Sequence, residues 1–123
     1  MIAGMKNLLP AIFLFLATPS VAGPPVVDDV RAVKSGGSWT FHVTISHADE
    51  GWDHYADGWG VYTKEGRELG YRVLHHPHVT EQPFTRSLSN VIVPGGVSSV
   101  VIVPRDSVHG TGAGFEVSLT PDG

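Results

Sequence analysis

Apolar and polar residues alternate along most of the chain in short runs, and no stretch sustains the 3.6-residue period of an amphipathic helix. The clearest run is WTFHVTISH, in which Trp39, Phe41, Val43 and Ile45 face one way and Thr40, His42, Thr44 and Ser46 the other. Ahead of it, VVDDVRAVKS follows Pro24-Pro25 and ends in the turn Ser35-Gly36-Gly37-Ser38. After it come WGVYTK and RELGYRVLHH, joined at Glu65-Gly66 as a tight hairpin, and then RSLSNVIV, the Pro94-Gly95-Gly96 turn, VSSVVIVPR and FEVSLT. Phe115, Val117 and Leu119 share a face of the last run, and Trp59 is placed in the core. Short alternating runs bounded by Gly, Pro and Asp mark strands. Seven of them in roughly 100 residues predict an all-β domain, an antiparallel seven-stranded β-sandwich of immunoglobulin or fibronectin type III style, with a small closed barrel as the alternative.

This arrangement sorts the connections. If successive strands run up and down, HADEGWDHYADG, HHPHVTEQPFT and DSVHGTGAG meet at one end, while the plain turns SGGS, KEGRE and PGG occupy the other. His47, His54, His75, His76, His78 and His109 then share an end with Asp49, Glu50, Asp53, Asp57, Glu81 and Asp106. His42, in mid-strand, is left out.

The first residues change the picture of where the domain works. MIAGMKNLLPAIFLFLATPSVAG has a lysine, an apolar run from Leu8 to Ala17 and the small-x-small signature Ser20-Val21-Ala22, the layout of a secretory signal peptide over residues 1–22. The run is too short for a membrane span and contains Pro10, so no stable membrane insertion is expected after cleavage. Residues 23–123 are then one exported domain, periplasmic or secreted. No cysteine stands at the cleavage point, which speaks against lipid attachment there. Burial rather than disulfides must hold the domain, and it offers no sulfur ligand, since Met1 and Met5 both lie in the leader. A formal charge of −4 argues against a nucleic-acid partner.

Imidazole and carboxylate, without thiolate, suit zinc, copper(II), nickel or iron(II). Extended residues two apart face one side, so His76 and His78 can converge with Pro77 between them, and His47 and Asp49 repeat the spacing. His54 and His109 complete a candidate transition-metal set of His47, Asp49, His54, His76, His78 and His109, with zinc or copper(II) as the expected ion. No established metal spacing such as HExxH occurs, and histidines in long loops also serve simply as partners for backbone groups. Oxygens at alternate positions followed by a bidentate Glu are missing, which disfavours calcium.

A different reading makes the domain a protein- or glycan-interaction module of adhesion type. Trp52, Tyr55 and Phe84 would present aromatic faces, with Arg86 pairing with Glu81 or recognising a ligand carboxylate. Phe84 also suits a plug on the sandwich end. Catalysis finds little support: Ser107 and His109 are close, but no nucleophile-elbow pattern frames a serine and there is no catalytic cysteine.

The blocks ISHADEGWDHYADGW, HPHVTEQPFTRSL and DSVHGTGAG together resemble the shared blocks of a family of small exported bacterial proteins of unassigned activity. The resemblance covers most of residues 23–123 and implies export and the sandwich fold, without a function to transfer. Superoxide reductases hold iron on a related sandwich with several histidines and one cysteine; the missing thiolate here blocks that transfer.

Overall fold

The computed structural model describes residues 23–119. Within them the chain forms eight strands: β1 (Val26–Ser35), β2 (Ser38–Ser46), β3 (Ala56–Tyr62), β4 (Glu68–Val73), β5 (Phe84–Val91), β6 (Ser99–Asp106), β7 (Gly110–Thr111) and β8 (Phe115–Ser118). The expected leader, residues 1–22, lies outside the described residues. All pairings are antiparallel. One sheet has the order β1-β2-β5; the other has β4-β3-β6-β7, with β8 also on β6. Two antiparallel sheets and no helix among the described residues make this an all-β domain consistent with a sandwich.

The seven expected runs are found, with one addition. Gly110–Thr111 folds back on Arg105 and Asp106 as the short β7, inside what the sequence presents as a loop. Two shifted boundaries matter for the site. β3 begins at Ala56 rather than Trp59, and β6 continues through Asp106. Their ends are paired, Ala56 opposite Asp106, so the carboxylate of Asp106 stands on a sheet and not on a mobile tip.

The alternation seen in β2 is carried through: Trp39, Phe41, Val43 and Ile45 are buried and their neighbours half-buried. They join Val27, Phe84 and Val91 of their own sheet and Ala56, Trp59, Val61, Val100, Ile102 and Val117 of the other in one core. Trp59 is fully buried. Each such apolar side chain contributes about 1.5–3 kcal/mol on leaving water, and in the absence of cysteine this burial is the principal source of stability. The guanidinium of Arg72 on β4 donates to the Ser87 carbonyl on β5 at 2.8 Å, tying the two sheets across their edge. Gly112 is required by close approach, because a Cβ there would stand 2.6 Å from the Pro25 carbonyl oxygen. That contact closes the β7–β8 connection onto the start of β1.

Candidate metal centre

Three connections supply the site, and each is folded by its own short-range bonds. Past the end of β2, the chain runs through His47 to a turn at residues 51–54, where Gly51 has φ 90° and the Glu50 N–H donates to the His54 carbonyl at 2.7 Å. This turn carries His54 back beside His47, with ring centroids 4.8 Å apart. At the end of β6, Asp106 Oδ1 accepts the N–H groups of Val108 and His109, at 3.1 and 2.5 Å, and so closes the turn into β7. The His109 ring is thereby laid over the same carboxylate, 4.9 Å from the ring of His54.

The result is convergence on one oxygen. Asp106 Oδ2 lies 3.0 Å from His47 Nε2, 2.8 Å from His54 Nε2 and 2.8 Å from His109 Nδ1. One ligand-capable atom from each of His47, His54 and Asp106 lies within 4.8 Å of the others, and all three residues are buried. The outer nitrogens of the first two rings face carboxylates as well: His47 Nδ1 is 2.5 Å from Asp49 Oδ1, and His54 Nδ1 is 3.0 Å from Glu50 Oε1. Burial by itself would raise the Asp106 carboxyl. Hydrogen bonds from the ring and N–H of His109, the ring of His54 and the N–H of Val108 overcome it and hold the group well below the usual carboxylate range. His54 is raised above the usual imidazole value, first by its bond to Asp106, against the opposing effect of burial, and further by Glu50.

A second layer holds this centre from the β4–β5 connection. Asp49 spends its oxygens on the Ala56 N–H, the His47 ring and the His78 N–H, the last at 2.7 Å from Oδ2. Gln82 accepts from the His47 N–H and donates to the His78 carbonyl, which stitches two loops together. The His78 ring stacks on Phe84 with centroids 4.1 Å apart, and its Nε2 accepts from the Arg86 guanidinium at 2.9 Å. Arg86 also reaches Glu81 at 3.2 Å.

Of the six expected ligands, then, the structure gathers His47, His54 and His109. Asp49 orients His47 instead of facing the centre. His78 is buried, with its Nε2 lone pair already used by Arg86, while His76 is exposed and turned toward the Pro77 carbonyl. A bend at His76 replaces the extended geometry expected around Pro77, so the two rings touch each other at 4.8 Å and not the centre. Phe84 is 2 % exposed and belongs to the core, so its ring has no open face for a partner; Trp52 is 67 % exposed with Tyr55 edge-on to it at 5.6 Å. Asp106 and Glu50 were expected at this end but not among the candidate ligands. The signal for Asp106 was its place at the end of an inward-alternating strand, VVIVPRD.

His78 supplies a pH test that does not involve the centre. Burial, then the charges of Arg86 and His76, lower it below the ordinary imidazole value. The fold therefore favours neutral His78, and this preference becomes a penalty as pH falls from about 6.5, the ordinary value, through the lowered one. Urea denaturation of the metal-free protein should show the wild type exceeding His78→Gln in stability by more at pH 7.5 than at pH 5. A gap that is constant or widens on acidification would contradict this account.

Among known proteins, the chain is 43 % identical over 98 residues to a protein of Halomicrobium mukohataei named "Putative lipoprotein". The match covers 80 % of this chain and 48 % of that relative, so the chain spans about half its length. No family model matches the chain, and no solved structure matches it.

Proposed function

We propose that this is an exported β-sandwich, immunoglobulin- or fibronectin type III-like, that binds one transition-metal ion at His47, His54 and Asp106, with His109 as a fourth donor. The observation that carries the reading is the double engagement of the buried imidazoles. With Nδ1 of His47 held by Asp49 and Nδ1 of His54 by Glu50, both Nε2 atoms face the same carboxylate oxygen, Oδ2 of Asp106. Carboxylate–histidine–metal relays are built this way, since the outer carboxylate sets the tautomer and raises the basicity of the ligating nitrogen. Donors around a tetrahedral ion at about 2.1 Å stand roughly 3.4 Å apart. The separations of 2.8–3.0 Å to Asp106 Oδ2 fall about 0.4–0.6 Å short of this, and the ligand atoms of His47, His54 and Asp106 lie within 4.8 Å of one another. Nitrogen and oxygen donors without sulfur favour zinc or copper(II). A homologue named as a lipoprotein supports export, to the periplasm or beyond the cell, and membership of a family of exported proteins.

Protein purified without an affinity tag should take up close to one equivalent of Zn2+ or Co2+ in titration, with tetrahedral d–d bands for Co2+. Absence of uptake would remove the metal reading. A second reading, a protein- or glycan-interaction module, is favoured by Trp52, which stands out at the same end with Tyr55 against it. That surface should bind its partner equally well after His54→Ala.

A further inference from the structure

Three residues, His47, His54 and Asp106, bring ligand atoms within 4.8 Å of one another, and His109, whose Nδ1 is 2.8 Å from Asp106 Oδ2, is held differently from them. Side-chain exposure is 1 % for His47, 0 % for Asp106 and 8 % for His54, but 35 % for His109. His47 and His54 each have a carboxylate on the outer nitrogen, and Asp106 has backbone N–H groups on its outer oxygen. His109 has no counterpart: among the described residues its Nε2 makes no hydrogen bond, while its Nδ1 meets Asp106 and its ring lies tilted against that of His54.

We propose that His109 is the exchangeable ligand of the centre, so that one coordination position can be opened to an incoming imidazole or carboxylate donor. This rests on the metal reading above. The hairpin itself need not move, because the N–H groups of Val108 and His109 stay bonded to Asp106 Oδ1 whatever the ring does. Rotation about the His109 side chain alone opens one coordination position toward solvent, leaving three buried donors that keep the ion in place. With an ion bound, an incoming donor would take the vacated position and the other bonds would exchange after it. A sealed structural site would instead bury and brace all four ligands, as this protein does for three.

Transfer of Co2+ or Zn2+ from the full protein to a chromophoric chelator, followed by stopped flow, tests the idea. In the wild type the rate should level off at high chelator concentration, where ring opening limits it. His109→Ala should still bind one equivalent, yet release it faster. Loss of outer-sphere partners alone changes metal affinity by about 10- to 100-fold, so loss of this direct donor should speed release at least about tenfold. Added imidazole, filling the vacated position, should slow the variant again. His54→Ala, which removes a braced ligand, should abolish stoichiometric binding. Equal release rates for wild type and His109→Ala would overturn the assignment of His109 as the exchangeable ligand while leaving the metal site standing, as would complete loss of binding in His109→Ala. Failure of the wild type to take up metal would remove both.

Discussion

Asp106→Asn should fold and lose at least about 100-fold in affinity for Zn2+ or Co2+, more than the 10- to 100-fold that follows from disturbing outer-sphere partners. Asparagine keeps the shape of the side chain and can keep an oxygen toward the N–H groups of Val108 and His109, so the turn into β7 survives. What it places among the three imidazoles is an amide in place of an anion. The centre loses its negative ligand, and each ring must rotate or change tautomer to meet an N–H donor. Asp106→Ala should cost more in structure. It strands His47 Nε2, His54 Nε2 and His109 Nδ1 around a fully buried gap, and breaking a buried charged pair by removing one partner costs about 3–5 kcal/mol. Calorimetric titration checks the first variant and urea denaturation the second. Wild-type metal affinity in a folded Asp106→Asn would exclude Asp106 as a ligand, and with it the centre.

That assignment shows where the sequence was readable and where it was not. Alternation with period two is a local property, so the buried stripe of β2, the burial of Trp59 and the place of most strands, though not their ends, could be read directly. So could the gathering of three loops at one end, because up-and-down strands leave little choice in which connections meet. Ligand selection was not readable at that level. His76-Pro77-His78 has the spacing of a chelating pair, but a bend at His76 and the guanidinium of Arg86, eight residues further on, assign those rings elsewhere. Asp49 and Asp106 are both carboxylates at the correct end. Which one points at the centre was decided by the pairing of Ala56 with Asp106 across β3 and β6, a contact 50 residues apart in sequence. The two-residue β7 was hidden for a similar reason: GTG reads as loop until Asp106 closes the turn that precedes it.

Metal binding should strengthen steeply as pH rises from 5.5 to 8, while the centre's contribution to the metal-free fold runs the other way. His54 is raised above 6.5, first by its bond to Asp106. Its pairing therefore stabilises the metal-free protein fully below the ordinary imidazole value and is lost as pH climbs through the raised one. Asp106 is lowered, so its contribution is present above the ordinary carboxylate value and is lost only in stronger acid. Between about pH 4 and 6.5 both are in force, and an ion must there displace the proton that His54 shares with Asp106. Each proton released costs on the order of tenfold in apparent affinity per pH unit below the raised value, and each tenfold is about 1.4 kcal/mol of stabilisation by bound ion. The rise in melting temperature produced by a fixed excess of Zn2+ should accordingly be small at pH 5.5 and grow with each step toward pH 8. The comparison cancels the acid effect of His78, which is present with and without the ion. A shift in melting temperature that stays flat across this range would mean that the ion, if bound, is not held by these imidazoles.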